Sequence, residues 1–271
     1  MTLALIVGVF VGSTAGYLGS IMLSKRMALV GDALSHVALP GLALGILFNF
    51  NPFIGAFAFL AASVIATWYL QKSTTLPVEA IIGVLFVLAL AIGILITPRV
   101  DLLEALFGDV SKITLADTVI TVLVSLFVIF VTRRIYDKLA ITMISKELAV
   151  ASRIKVERIN LIFLLLVAII VAVGIKEVGT LLVGALVIVP AAAAKTISTR
   201  LSRYSLMSAI FGLASATLGV VLSSYVNLPA GPLVVIVGTT IFAGGFLTSF
   251  LSKRLKRQEA SAQISHSKGA N

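Results

Sequence analysis

The 271-residue sequence predicts an all-α fold, a polytopic bundle of transmembrane helices, and three observations predict it. Hydrophobic residues fill 59% of positions and charged residues 12%, against about a quarter charged in a soluble domain, so most of the surface must meet lipid. The apolar residues gather into runs of roughly the 20 residues needed to cross a bilayer as helix. Within each run they are continuous rather than alternating, which excludes an outer-membrane barrel.

Nine apolar segments follow in order: 3–23, 28–48, 53–71, 79–97, 115–132, 159–175, 178–194, 205–225 and 232–250. The first opens on Met1-Thr2-Leu3-Ala4, without a basic stretch or a cleavage site, and reads as a span rather than a secretory signal. Its Gly12, Ser13, Ala15, Gly16 and Gly19 suit close helix packing. The second holds an ionisable pair and a proline, and is expected to break. Turn residues such as Asn49-Phe50-Asn51-Pro52 and Asn227-Leu228-Pro229 separate segments. Between segments four and five lies a polar stretch, 98–114, with Asp101, Glu104 and Asp109 against Arg99 and Lys112. After segment five a basic, amphipathic stretch runs over 133–158. Only Lys176 and Glu177 divide segments six and seven, so the expectation is nine spans, or eight. Pro190 in segment seven predicts a structural kink, and Ala191 to Ala194 suit packing. Residues 1–252 thus form a membrane domain, and the polar 253–271 a disordered cytoplasmic tail.

The net charge of +10 is explained by topology. With the N-terminus outside, 18 of the 21 Lys and Arg fall inside; only Arg99, Lys112 and Lys176 fall outside. That asymmetry predicts an N-terminus out, a C-terminus in and an odd number of spans, in a plasma (inner) membrane. No basic patch interleaves with aromatics, so nucleic acid is not an expected partner. There is no cysteine, hence no disulfide and no thiolate metal site.

Asp32 and His36 stand out because they sit inside an apolar run, whereas the other acids lie in or near connectors and His266 lies in the tail. Ionisable groups within a membrane usually face a cavity or pathway. The i, i+4 spacing stacks both side chains on one helix face. Carboxylate plus imidazole suits Zn, Mn or Fe(II) better than Ca or Mg. Pro40 should release the backbone carbonyl of His36, as Pro190 should that of Leu186. One Asp and one His do not close a four-ligand site; partners come from another helix or from a second copy of the chain. The structural reading is that the pair merely joins helices.

On the inside, 144–156 can form a short helix started by Ser145, with Ile144, Leu148 and Ala151 on one face. It lies either on anionic lipid or against a cytosolic partner. No G-x-x-x-x-G-K-[ST] occurs, so ATP is not held through a Walker A loop. No H-E-x-x-H occurs, and no second embedded group would serve a catalytic His36. The chain is therefore not read as an enzyme.

Residues 25–45, Lys-Arg-Met-Ala-Leu-Val-Gly-Asp-Ala-Leu-Ser-His-Val-Ala-Leu-Pro-Gly-Leu-Ala-Leu-Gly, resemble the signature of the metal-importing ABC permeases (type 3 family). Further resemblance lies in Asp101 to Gly108, around Lys146 to Ser152, and in Val178 to Ala194. The resemblance implies a homodimer of permeases, two cytosolic ABC ATPase subunits and an extracytoplasmic metal-binding protein. It places the family's intramembrane metal residues on Asp32 and His36 and the coupling helix on about 144–156; Pro40 and Pro190 are read as helix breaks along the pathway, and Ser145, Glu147, Leu148 and Ala151 as the residues coupling to the ATPase. The divalent metal (Zn, Mn or Fe(II)) is cargo rather than a resident cofactor. One departure stands out: Arg153 occupies a position where the family often has Gly. The rival expectations are an ABC permease for a metal chelate or corrinoid, and a stand-alone ion-coupled secondary transporter.

Overall fold

The computed structural model describes residues 1–96, 108, 113–198 and 200–268. The described elements are all α-helices: α1 (Thr2–Ser24), α2 (Ala28–Val37), α3 (Leu39–Leu47), α4 (Pro52–Ser73), α5 (Val78–Ile96), α6 (Leu115–Ile144), α7 (Lys146–Ala151), α8 (Val156–Val178), α9 (Thr180–Ile197), α10 (Leu201–Val226) and α11 (Ala230–Lys268). Among the described residues eight segments are long and apolar enough to cross a membrane, α2 and α3 together counting as one; Val183–Ile197, within α9, is a shorter apolar helix.

Local chemistry sets the ends of these elements. The Asn51 side chain accepts the Phe53 N–H at 3.0 Å, and Pro52 follows as the first residue of α4, where its missing donor costs nothing. A reciprocal capping box starts α6: Thr114 Oγ1 accepts the Asp117 N–H, and the Asp117 carboxylate accepts the Thr114 N–H. The boundary between the sixth and seventh segments is not at the charges of Lys176 and Glu177. α8 runs through both, and the break falls at Gly179, whose φ of 76° and ψ of 170° form a pair open essentially to glycine alone. α6 carries the fifth segment to Ile144, taking Arg133, Arg134 and Lys138 on a continuous helix beyond the apolar run. α11 likewise continues as helix to Lys268, through the tail that composition predicted to be disordered; Lys, Arg, Gln, Glu and Ala, all good helix formers, fill that stretch.

Three spans form the interior. The most apolar windows of α1, α2–α3 and α8 are 67%, 72% and 61% buried, against 22% to 39% for the other candidate spans. α1 lies along α10 at backbone contact: a Cβ at Gly12 would run into the Gly212 carbonyl, and one at Gly16 into that of Ser208. Ser20 donates to Ser205 at 2.9 Å across the same seam. Small residues and short polar bridges of this kind bind helices together where lipid competes for apolar surface. The exposed faces of α4, α5 and α6 carry Ile54, Val84, Leu88, Leu95, Leu123 and Phe130 outward, as a lipid-facing surface requires.

Candidate functional site

The site is built on the second span. α1 ends in a Schellman turn: Arg26 N–H donates to the Leu23 carbonyl at 3.2 Å, and Met27 N–H to that of Met22 at 2.9 Å. Arg26 takes the left-handed conformation this turn needs, with φ at 61°. The reversal is tight, so α2 starts at once and sets Asp32 in its second turn and His36 near its end. The helix then breaks. Ala38 stands between α2 and α3, and Pro40 is the second residue of α3, where no helical donor is lost. The break falls where the sequence predicted it. The His36 carbonyl, however, is not left free; it accepts a backbone N–H of the cap. α3 is held in place by close approach, since a Cβ at Gly41 would strike the Gly55 backbone of α4, and one at Gly93 of α5 would stand 2.9 Å from Leu39 Cβ.

Asp32 and His36 share the face their spacing predicts, yet no hydrogen bond joins them. The His36 ring is 9% exposed and tilts against Phe86 of α5, with ring centroids 5.3 Å apart. Its Nδ1 is buried without a hydrogen-bond partner. A buried polar atom of this kind costs free energy unless something else completes it. Asp32 is half-buried, and its carboxylate is the charged neighbour whose field reaches the His36 ring. α9 presses on it from the other side: a Cβ at Gly184 would lie 2.5 Å from Asp32 Cα and 2.6 Å from its Oδ1. Ser35 turns away and donates to the Asp32 carbonyl at 2.6 Å. Among the described residues no third His, Cys, Asp or Glu gathers with the pair. In one copy of the chain, the pair offers a ligand couple and not a closed cage.

Pro190 lies inside α9, which continues through it to Ile197. The segment around 144–156 folds as expected: the Ser145 hydroxyl accepts the Leu148 N–H at 3.1 Å and donates to the Glu147 carboxylate at 2.6 Å. Ile144, Leu148 and Val150 are 76%, 48% and 62% exposed; Glu147 and Ala151 are exposed too, and Ala149 is fully buried. The described outer face of α7 is thus largely apolar, through Leu148, Val150 and Ala151. The helix closes with a second Schellman turn, in which Ile154 N–H donates to the Ala149 carbonyl at 2.9 Å and Arg153 has φ of 57°. The position is one that favours glycine, which accounts for Arg153 being the departure there. Of the outer acids, Asp117 is committed to the α6 capping box, while Asp101, Glu104 and Asp109 lie outside the described residues.

Sequence reasoning missed Gly184, Phe86 and Lys25. The Lys25 ammonium donates to Asn160 Oδ1 at 2.6 Å and to Thr142 Oγ1 at 3.3 Å. Burial, without a nearby carboxylate to offset it, pulls this amine down to about 8. The one available signal was its place in a four-residue connector, 24–27, between two apolar runs, too short for the side chain to escape the bundle.

The model of the ABC 3 transport family matches residues 1–249. The chain is 31% identical over 248 residues to the manganese transport system membrane protein MntC of Listeria monocytogenes, covering 90% of this chain and 89% of that one. It is 30% identical over 241 residues to the high-affinity zinc uptake system membrane protein ZnuB of Buchnera aphidicola, covering 87% and 92%. Among solved structures it is similar to a chain of PsaBC from Streptococcus pneumoniae in complex with Fab, with a TM-score of 0.80 at 29% identity over 90% of each chain.

Proposed function

The chain belongs to the ABC 3 transport family, and we propose that it is the membrane-spanning permease subunit of an ATP-driven importer of a divalent transition metal, Mn, Zn or Fe(II). The observation that carries this reading is the buried imidazole of His36, unpartnered at Nδ1, one turn from the half-buried carboxylate of Asp32 in the most buried span. Relatives at 30–31% identity, a manganese and a zinc system, support the class of cargo.

In this reading the N-terminus is outside and the C-terminus inside, so that 18 of 21 basic residues are cytoplasmic. Two copies of the chain stand together, each offering one Asp32 and one His36. A metal-binding protein delivers the ion at the outer face. The couple holds it through one carboxylate and one imidazole per copy, weakly enough to release it. Cytosolic ATPase subunits press on the apolar face of α7, and their closure shifts the permease between two states. This subunit orients and releases the ion, and hydrolysis belongs to the partner. The family membership speaks against a stand-alone ion-coupled carrier.

The test is metal uptake by the assembled complex carrying Asp32→Ala or His36→Ala, at matched protein level. Both variants are expected to lose uptake by about two orders of magnitude while the complex still forms, in line with the loss of buried ligand groups. Normal uptake by both would remove the pair from the pathway.

A further inference from the structure

Resting on that reading, we propose that Lys25 is the positioning residue that carries movement of the coupling segment to the Asp32/His36 helix. Three placements argue for it. First, its ammonium bridges two elements far apart in sequence: Thr142 in the last turn of α6 and Asn160 in the second turn of α8. These are the two helices that α7 joins, so one amino group holds both flanks of the segment that meets the ATPase. Second, Lys25 closes α1 in the Schellman turn whose next residues open α2, and Asp32 lies four residues into that helix from Ala28, about 6 Å along it at 1.5 Å per residue. A pull on the turn therefore moves the axis of the metal-bearing helix. Third, among the described side chains of α7 only Ala149 is fully buried.

The chemistry suits a strut that must let go and re-form. Both partners are neutral oxygens. Thr142 spends its own proton on the Leu139 carbonyl at 2.7 Å, so its oxygen is left to accept from Lys25. No carboxylate locks the ammonium, which is half-buried, and burial lowers its pKa to about 8. The neighbouring strap, Lys72 to Glu157 at 3.7 Å, joins two side chains that are 42% and 60% exposed, and exposed pairs of that kind hold little. Lys25 is thus the firmer of the two ties onto the start of α8.

The experiment uses the complete complex, with its ATPase and binding protein, in liposomes. Manganese(II) and zinc(II) are each supplied alone, and ATP hydrolysis and metal entry are read from the same vesicles. For Lys25→Met the expectation is hydrolysis within about twofold of wild type, metal moved per ATP down about tenfold, and an unchanged half-saturating concentration of loaded binding protein. Asn160→Ala should move the ratio in the same direction, and Lys25→Arg should restore part of it. An unchanged ratio in Lys25→Met or Asn160→Ala overturns the proposal, as does a Lys25→Arg no better than Lys25→Met. If Lys25→Met does not assemble, Asn160→Ala and Thr142→Val decide by the same ratio. A wild-type complex that moves neither metal counts instead against the importer reading itself.

Discussion

The span formed by α2 and α3 and the helix α9 each carry a proline among apolar residues, yet only the first is broken. At Pro40 the chain leaves α2, passes Ala38 and starts again, with the proline in the opening turn of α3. At Pro190 the helix continues for seven more residues to Ile197. The ring is the same in both, but its missing donor is felt differently: Pro40 sits in the opening turn of α3, where no helical bond is lost, and Pro190 inside α9, where one is. Both are closely packed, and what differs is where the backbone contacts fall: at Pro40 they follow the proline, whereas α9 meets Gly19 of α1 at Val187, three residues before Pro190. α3 lies against α4 with Gly41 and Gly55 at backbone contact, and against α5 through Gly93; the span as a whole is the most buried one. Pro190 is followed by four alanines, of which Ala191, Ala193 and Ala194 are fully buried and favour helix. Pro40 thus opens a new helix, whereas Pro190 is carried inside one. The ionisable pair stands directly before the break.

The largest effect should come from disturbing the backbone contacts of α3. Gly41→Leu would drive a side chain into the Gly55 backbone, a clash that a packed core does not absorb, and overpacking of this kind costs about 3 kcal/mol or more. The expectation is loss of a monodisperse complex in size-exclusion chromatography. Gly83→Leu, at a glycine of α5 with open space around it, should leave the elution unchanged. Equal behaviour of the two would break the comparison.

The prolines come next. Pro40→Ala restores a backbone donor at the break and should cut metal uptake by about tenfold with assembly intact, whereas Pro190→Ala should stay within about twofold of wild type. Uptake in matched vesicles separates them, and a greater loss in Pro190→Ala would reverse the assignment. Smaller again is Gly184→Ala, which pushes on Asp32 from α9. Its Cβ would lie 2.5 Å from the Asp32 Cα, so it should raise the metal concentration for half-maximal uptake by about fivefold and also lower the thermal midpoint, by less than Gly41→Leu does.

Much of this was legible in the sequence, for a physical reason. Hydropathy and helical period are local, so the apolar runs, the i, i+4 face of Asp32 and His36, the break at Pro40 and the Ser145 cap could all be read from neighbours along the chain. Boundaries set by backbone geometry were harder. The charges of Lys176 and Glu177 pointed to a connector, but a conformation open to glycine put it at Gly179. The helix over 253–268 was hidden by polarity, although its residues favour helix. Pairings across long stretches of sequence were not legible at all. Lys25 meets residues 117 and 135 positions away, and Gly184 meets Asp32 across two different spans. Such contacts belong to packing, which a single chain does not spell out.

The smallest effect calibrates the turn that closes α7. Arg153 adopts φ of 57° at the end of α7, where a side chain costs about 1–2 kcal/mol relative to the right-handed region. Arg153→Gly should therefore raise the thermal midpoint of the detergent-solubilised protein by about 2–4 °C. A fall in the midpoint would show that the arginine side chain holds α7 by contacts of its own.

The central claim is that the Asp32/His36 couple meets the travelling ion. Its most direct test is pulsed EPR of manganese(II) bound to the complex held before ATP-driven release. The account predicts nitrogen hyperfine coupling from an imidazole in the wild type and its disappearance in His36→Gln, with manganese retained more weakly. The same nitrogen signal in His36→Gln, or none in the wild type, would contradict it.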